Sequence, residues 1–295
     1  LQPGDATGTV SQLRARCSRN IAPIRNREAQ VTSTLVSYQL LTRDMSRTLK
    51  VTAAETSVSR DTAYYLAHIG NVKSVDDFLK DYRLFSYAMK AYGLEKMIYA
   101  KAFMRKVLTE GVATKDTFAN KLSDGRYAAF AKVFDFARLG SSATQATAAT
   151  AGTTQAYLRQ TVEEDAGDKN EGVRLALYFE RKAPDLKNSF EILADPALIK
   201  VVQTALGLSQ YSSLQTVDQQ AAYLDKRLNL EDFQDSTKLS KFIQRFCALY
   251  DIQNPDAATG GNTALSAVSL ISGASNGFSI SANTLASIQN LKFGK

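Results

Sequence analysis

Apolar side chains return every three or four residues along most of this chain, which restricts it to helices that bury one face. Leu35, Tyr38, Leu41, Met45 and Leu49 form one such stripe. Phe78, Tyr82, Phe85, Met89 and Tyr92 form a second, and Met97, Ala100, Met104 and Leu108 a third. Tyr127, Phe130 and Phe134 make a fourth. No stretch of similar length alternates as a half-buried strand does. With only five prolines and 16 glycines, the helices meet few breakers.

Start and stop signals agree with the stripes. Ser74 precedes Val75-Asp76-Asp77 as an N-cap followed by first-turn acids, which the helix dipole favours. Gly93-Leu94 is the pattern of a Schellman stop, with Leu94 folding back on Met89. Gly207-Leu208 repeats that pattern with Val202 as its apolar contact, and Thr216-Val-Asp-Gln219 has capping-box spacing.

Those two stops belong to a longer correspondence. A shift of 114 positions relates Tyr64 to Tyr178, Tyr65 to Phe179, Phe78 to Ile192 and Leu79 to Leu193. The same shift relates Asp81 to Asp195, Leu84 to Leu198, Gly93 to Gly207 and Leu94 to Leu208. Phe130 and Phe134 match Phe242 and Phe246 at a shift of 112. So constant an offset across core and capping positions predicts an all-α protein made of two related helical repeat units, over 31–139 and 155–250. Between them, residues 140–154 hold an Ala/Thr/Ser run without large apolar side chains, expected to be a linker or a loosely held helix.

Residues 1–30 carry five arginines and Cys17 but no periodicity; they are expected to be disordered or non-native, with Val31 as a candidate native start. From 251 the chain turns rich in Ser, Ala and Asn. There Leu285, Ile288 and Leu291, spaced by three, suggest a short amphipathic helix able to meet a partner chain.

Little in the sequence points to catalysis. The single histidine, His68, cannot build a histidine-rich metal site, and it reads as a surface partner of Tyr64, four residues earlier. Cys247 lies in the apolar pattern Phe242-Ile-Gln-Arg-Phe-Cys-Ala-Leu-Tyr250, as a buried inert thiol does. Phosphate loops, dinucleotide fingerprints, nucleophile elbows and paired C-x-x-C motifs are missing, so no cofactor is expected. The adjacent acids Asp76-Asp77 and Glu163-Glu164-Asp165 point in different directions on a helix and make no acid–base couple.

Charge is uneven. The chain carries +7 in all; residues 31–150 hold 17 basic against 11 acidic residues, net +6, and residues 151–250 hold 12 against 14, net −2. Lys101, Arg105 and Lys106 form a short basic strip that Glu95 and Glu110 interrupt, so nucleic acid is an unlikely partner. The sequence has no run of 18 apolar residues, so no transmembrane helix is expected, and the first 30 residues lack the apolar centre of a cleaved secretory signal.

Tyr64-Tyr65, Ser74-Val-Asp-Asp-Phe-Leu79, Arg83-Leu84 and Ala91-Tyr-Gly-Leu94 resemble the bacterial domain of unknown function 1217 family. Lys106-Val-Leu108, Phe118-Ala-Asn-Lys-Leu122, Asp124-Gly-Arg-Tyr127 and Phe130 continue the likeness, which spans about 33–250. The resemblance implies a helical protein typical of alphaproteobacteria, encoded among flagellar genes. It carries over no catalytic or binding residues. The expectation is therefore a non-enzymatic structural or assembly protein, flagellum-associated or cytoplasmic, acting on protein partners that include flagellar components. The alternative is a cytoplasmic binding module that meets an acidic partner or nucleic acid through the basic first repeat.

Overall fold

The computed structural model describes residues 33–208 and 216–254, and every regular element among them is helical. The described residues form two hydrophobic cores joined by one long helix.

The first core is built on an aromatic hub. Helices α1 (Thr34–Thr42) and α2 (Met45–Ala54) lead into α3 (Thr56–His68), then α4 (Val75–Lys80) and α5 (Tyr82–Ala91). Next come α6 (Lys101–Glu110), α7 (Phe118–Lys121), α8 (Gly125–Val133) and α9 (Phe136–Leu139). Phe78 on α4 sits among Phe85, Phe130, Phe134 and Phe136, with ring centroids 4.8–6.3 Å away. Such edge and tilted contacts add to the area that the rings bury.

The second core gathers helices from later in the chain. These are α11 (Glu171–Lys182), α12 (Ser189–Ala194), α13 (Pro196–Leu206), α14 (Val217–Asp225) and α15 (Ser236–Gln253). Phe179 packs on Phe233 and Phe242, and Ile243, Phe246 and Cys247 are fully buried beside them. Burial pushes the Cys247 thiol up from its ordinary 9.0, which keeps it protonated and unreactive at neutral pH. Helix α10 (Thr153–Lys169) serves both cores: Tyr157 lies in the first, Val162 and Ala166 in the second.

A four-element motif occurs in both halves at the 114-residue offset. In one it is α3, the 3-10 turn Ile69–Asn71, α4 and α5; in the other, α11, the 3-10 turn Ala183–Asp185, α12 and α13. Asp81 and Asp195 do the same two tasks. One carboxylate oxygen caps the following helix, accepting from Leu84 N, or from Ala197 N and Leu198 N. The other accepts the hydroxyl of Tyr64 (3.0 Å) or Tyr178 (2.6 Å), 17 residues upstream. Both motifs end on a left-handed glycine, Gly93 at φ 67° and Gly207 at φ 66°. The next residue donates back five positions at 2.8 Å, Leu94 to Met89 and Leu208 to Gln203, completing a Schellman stop each time. Beyond the motif the halves diverge: Phe130 and Phe134 ride on the short α8 and its C-cap, Phe242 and Phe246 on the 18-residue α15.

Two expectations are corrected. The stripe Leu35, Tyr38, Leu41, Met45 and Leu49, placed in the first unit, packs on the second core. It is also split, because the Asp44 side chain caps a new helix by accepting from Arg47 N at 2.9 Å. Apolar spacing reveals that a face is buried and leaves open which core receives it. The 140–154 stretch is not a linker: Ala143, Thr144, Ala149 and Thr153 are fully buried. Its small side chains let the backbone approach the first core. There Tyr65 Oη donates to the Ala149 carbonyl at 2.5 Å, and Thr144 Oγ1 to that of Val72 at 2.8 Å. Neighbouring rings supply the bulk that the segment lacks.

The first and last described helices are tied together. Thr34, in the first turn of α1, donates its backbone N–H to Asp251 Oδ2 at 3.1 Å and its hydroxyl to Oδ1 at 2.5 Å. Asn170 donates its amide to the Thr34 hydroxyl at 3.0 Å, while its oxygen caps α11 through Gly172 N at 2.8 Å. All three side chains are buried. Gly172 makes the junction possible, because a Cβ there would lie 2.5 Å from the Tyr250 ring and 2.9 Å from Thr34 Cγ2. Gly172→Ala is expected to cost about 2–3 kcal/mol through overpacking. Gly70→Ala, where a Cβ meets nothing within 4 Å, stays near neutral; urea unfolding of both variants checks the contrast.

Candidate functional site

The most concentrated polar chemistry lies where α10 and α11 cross between the cores. Glu163 is at its centre, its side chain only 2 % exposed. Arg181 grips it with two bonds, Nε to Oε1 and Nη2 to Oε2, both 2.7 Å. Arg159, one turn before Glu163 on α10, adds a third at 3.3 Å and reaches Glu180 Oε2 at 2.9 Å. Burial works against the Arg181 charge, but the Glu163 carboxylate outweighs it and the guanidinium pKa rises. The planar two-pronged geometry is one that lysine could not supply.

The seam continues on both sides. Tyr178, bonded to Asp195, lies under Arg181 with the guanidinium 5.2 Å from its ring centre. Burial first, and the Asp195 charge second, raise the tyrosine pKa, so it stays a neutral donor. Arg126 on α8 chelates Asp124 and donates to the Gly93 carbonyl at 2.6 Å, fastening α8 to the end of α5. Lys182, near Asp195, is held below its ordinary value by burial and by Arg181. On the far side Lys90 of α5 meets Glu164 at 2.8 Å. Burial disfavours that ammonium, yet Glu164 more than compensates and its pKa rises. Burial and then Glu164 push Glu95 up.

Two open depressions mark the surface of the described residues. One, about 230 Å³, lies between α3, α5 and α10. On one wall Tyr64 is stacked on His68 (4.1 Å) and covered by the Arg83 guanidinium at 3.7 Å. On the other, Tyr87 and Tyr157 stack at 3.8 Å. The second, about 710 Å³, is formed by α7, α8 and α9 with Lys187 from the loop before α12. Both are shallow, and each is wide enough for protein side chains.

The residues singled out from sequence are dispersed. Tyr65, Phe78, Leu79, Leu84 and Leu94 line the first core, while Leu198 belongs to the second core and Leu208 packs against that core. Tyr64 and Tyr178 reach a polar site through their hydroxyls, and Gly93 through its carbonyl. His68 caps its own turn, its Nδ1 within 2.8 Å of the Tyr64 carbonyl. Arg105 pairs with Asp76 and Lys106 with Glu110, so most of that basic strip is neutralised. Leu285, Ile288 and Leu291 lie outside the described residues. Sequence reading named Glu163 only among adjacent acids that make no acid–base couple, and gave Arg159, Arg181 and Arg126 no role. The Arg159/Glu163 spacing of four was a signal, whereas the Arg181 partnership is long-range and left no trace in local pattern. Among the described residues no group of three or more His, Cys, Asp or Glu could hold a metal ion, and no helix is long and apolar enough to cross a membrane.

The profile of the family described as protein of unknown function DUF1217 matches residues 91–239, half of the chain. The chain belongs to the DUF1217 family. A crystal structure of an Agrobacterium tumefaciens protein, a structural-genomics target, is similar to it at 51% identity and a TM-score of 0.72. That likeness covers 77% of this chain and 96% of the Agrobacterium chain. No curated protein matches this DUF1217 chain.

Two substitutions probe the polar groups of this DUF1217 protein. Glu163→Gln leaves Arg159 and Arg181 facing a neutral amide. Because these arginines keep 16% and 30% of their side-chain exposure, the expected loss is about 2–3 kcal/mol, below the full cost of breaking a buried pair. Urea unfolding at neutral pH measures it. Asp251 has its pKa raised from 3.8 by burial, against the opposing Thr34 hydrogen bonds. The folded state thus holds this proton more tightly than the unfolded chain, and wild type loses stability as pH climbs above 3.8. Asp251→Asn removes that loss. The stability difference between variant and wild type should move in the variant's favour between about pH 4 and pH 7; parallel pH profiles would contradict this account.

Proposed function

We propose that this DUF1217 protein is a non-enzymatic structural or assembly component of the bacterial flagellum that works through protein–protein contacts. The observation that carries the scaffold reading is the seam. Its buried carboxylate is saturated by arginines, groups that keep their positive charge at neutral pH. Charge spent in this way makes two cores one body instead of leaving a proton donor and acceptor poised over a cleft. The two surface depressions are broad and shallow, suited to side chains of a partner.

The flagellar setting rests on the family resemblance. The strips between the cores and the uneven charge of the halves favour contacts with proteins over insertion into lipid. Removing the gene from a motile strain is expected to impair swimming or filament assembly, with restoration by the wild-type gene. Swarm-plate and electron-microscopic assays decide the matter: normal motility and normal filaments would end the flagellar part of the proposal.

A further inference from the structure

The larger depression combines three properties that together specify an occupant. Its floor is small and apolar: Val112 and Ala113 after α6, and Ala128 and Ala129 on α8. Short side chains there allow another backbone to come close. Its rim is basic, with Lys132 on α8, Arg138 on α9 and Lys187 from the second half of the chain. Its one acid is turned inward and used up. Asp135 is buried; Oδ1 caps α9 by accepting from Arg138 N at 3.2 Å, and Oδ2 accepts from Arg138 Nε at 2.8 Å.

Two of the three basic residues are lysines, one from each half of the chain. Lys132 and Lys187 are exposed, and among the described residues neither has a side-chain ion pair. Basic side chains from two parts of the chain around an apolar lining are complementary to carboxylates beside an apolar stripe. The lip is held open by structure: Asn120 Nδ2 donates to the carbonyls of Val112 (3.2 Å) and Thr114 (2.7 Å). Gly111, at φ 64°, starts that turn, and a Cβ there would lie 2.8 Å from Ala137 Cβ.

We propose that this groove docks an acidic amphipathic helix of a partner protein. The proposal rests on the scaffold reading and adds the chemistry of the partner. Carboxylates of the helix engage Lys132 and Lys187, and alanine- or leucine-sized side chains lie on the floor. Because Lys187 belongs to the chain's second half, the rim exists only while the seam holds the halves together.

The test uses the full chain and a fluorescein-labelled helical peptide of Glu, Ala and Leu, with a version carrying Lys in place of each Glu. Fluorescence anisotropy should show binding of the acidic peptide and at least about tenfold weaker binding of the lysine peptide. Lys132→Glu/Lys187→Glu should weaken the acidic peptide about tenfold or more. Lys96→Glu/Lys101→Glu, which changes net charge equally but lies elsewhere, should not. Ala129→Arg should also weaken binding although it adds a positive charge, since it fills the floor. Thermal unfolding confirms that each variant folds.

Equal effects of the two double variants, or unchanged or tighter binding by Ala129→Arg, would reduce the interaction to diffuse charge and overturn the proposal. So would single-stranded DNA that competes with the peptide and depends on the same lysines, which would make the partner a nucleic acid. Sedimentation showing that Lys132→Glu/Lys187→Glu turns a wild-type dimer into a monomer would assign the groove to a second copy of this chain. Failure of any arm leaves the motility assay untouched, so this proposal and the flagellar one fail separately.

Discussion

A carboxylate cannot be taken out of water without compensation, and the arrangement of this molecule follows from how Glu163 obtains it. Its position on α10 lies where that helix passes from one core to the other. The two guanidinium groups around it come from α10 itself and from α11, and Arg159 extends the network to Glu180. Hydrogen bonds of this charged kind are stronger and more directional than neutral ones. They therefore set the angle and register at which α11 crosses α10, while the apolar faces on either side supply most of the driving force.

On that frame the repeated tyrosine–aspartate clamp does a second job. In each half a single carboxylate ends one element, begins the next and fastens a tyrosine from two elements earlier. Satisfying helix-terminal N–H groups with a side chain that is itself anchored removes freedom from a whole loop at once. The Tyr64 clamp faces a groove and is overlaid by Arg83, whereas the Tyr178 clamp is drawn into the seam beside Arg181 and Arg126. The same local device thus faces solvent in one half and the interior in the other.

Much of this was visible in the chain before any coordinates. The stripes, the Schellman stops at Gly93 and Gly207, the Ser74 cap and the Thr216 capping box are local, and local patterns carry their own geometry. The offset of 114 located the clamp residues Asp81 and Asp195. What stayed hidden is what depends on distance along the chain. Nothing near Tyr38 tells that it packs with Phe179's core, and nothing in Gly140–Gly152 tells that Tyr65 reaches for its backbone. Lys132 and Lys187 lie 55 positions apart, and only the fold sets them on one rim. Burial of polar atoms by a distant partner has no periodicity to detect.

The junction of Thr34 with Asp251 has a mechanical consequence. It joins positions 217 residues apart, so the described chain is topologically a loop buckled at one point. A force applied through residues 33 and 254 would load that buckle and not the aromatic hub. Its few hydrogen bonds would yield first, releasing α1 from α15 while Phe78 and Phe179 remained seated. Tension along the polypeptide would then be absorbed as a partial, reversible lengthening before either half gave way.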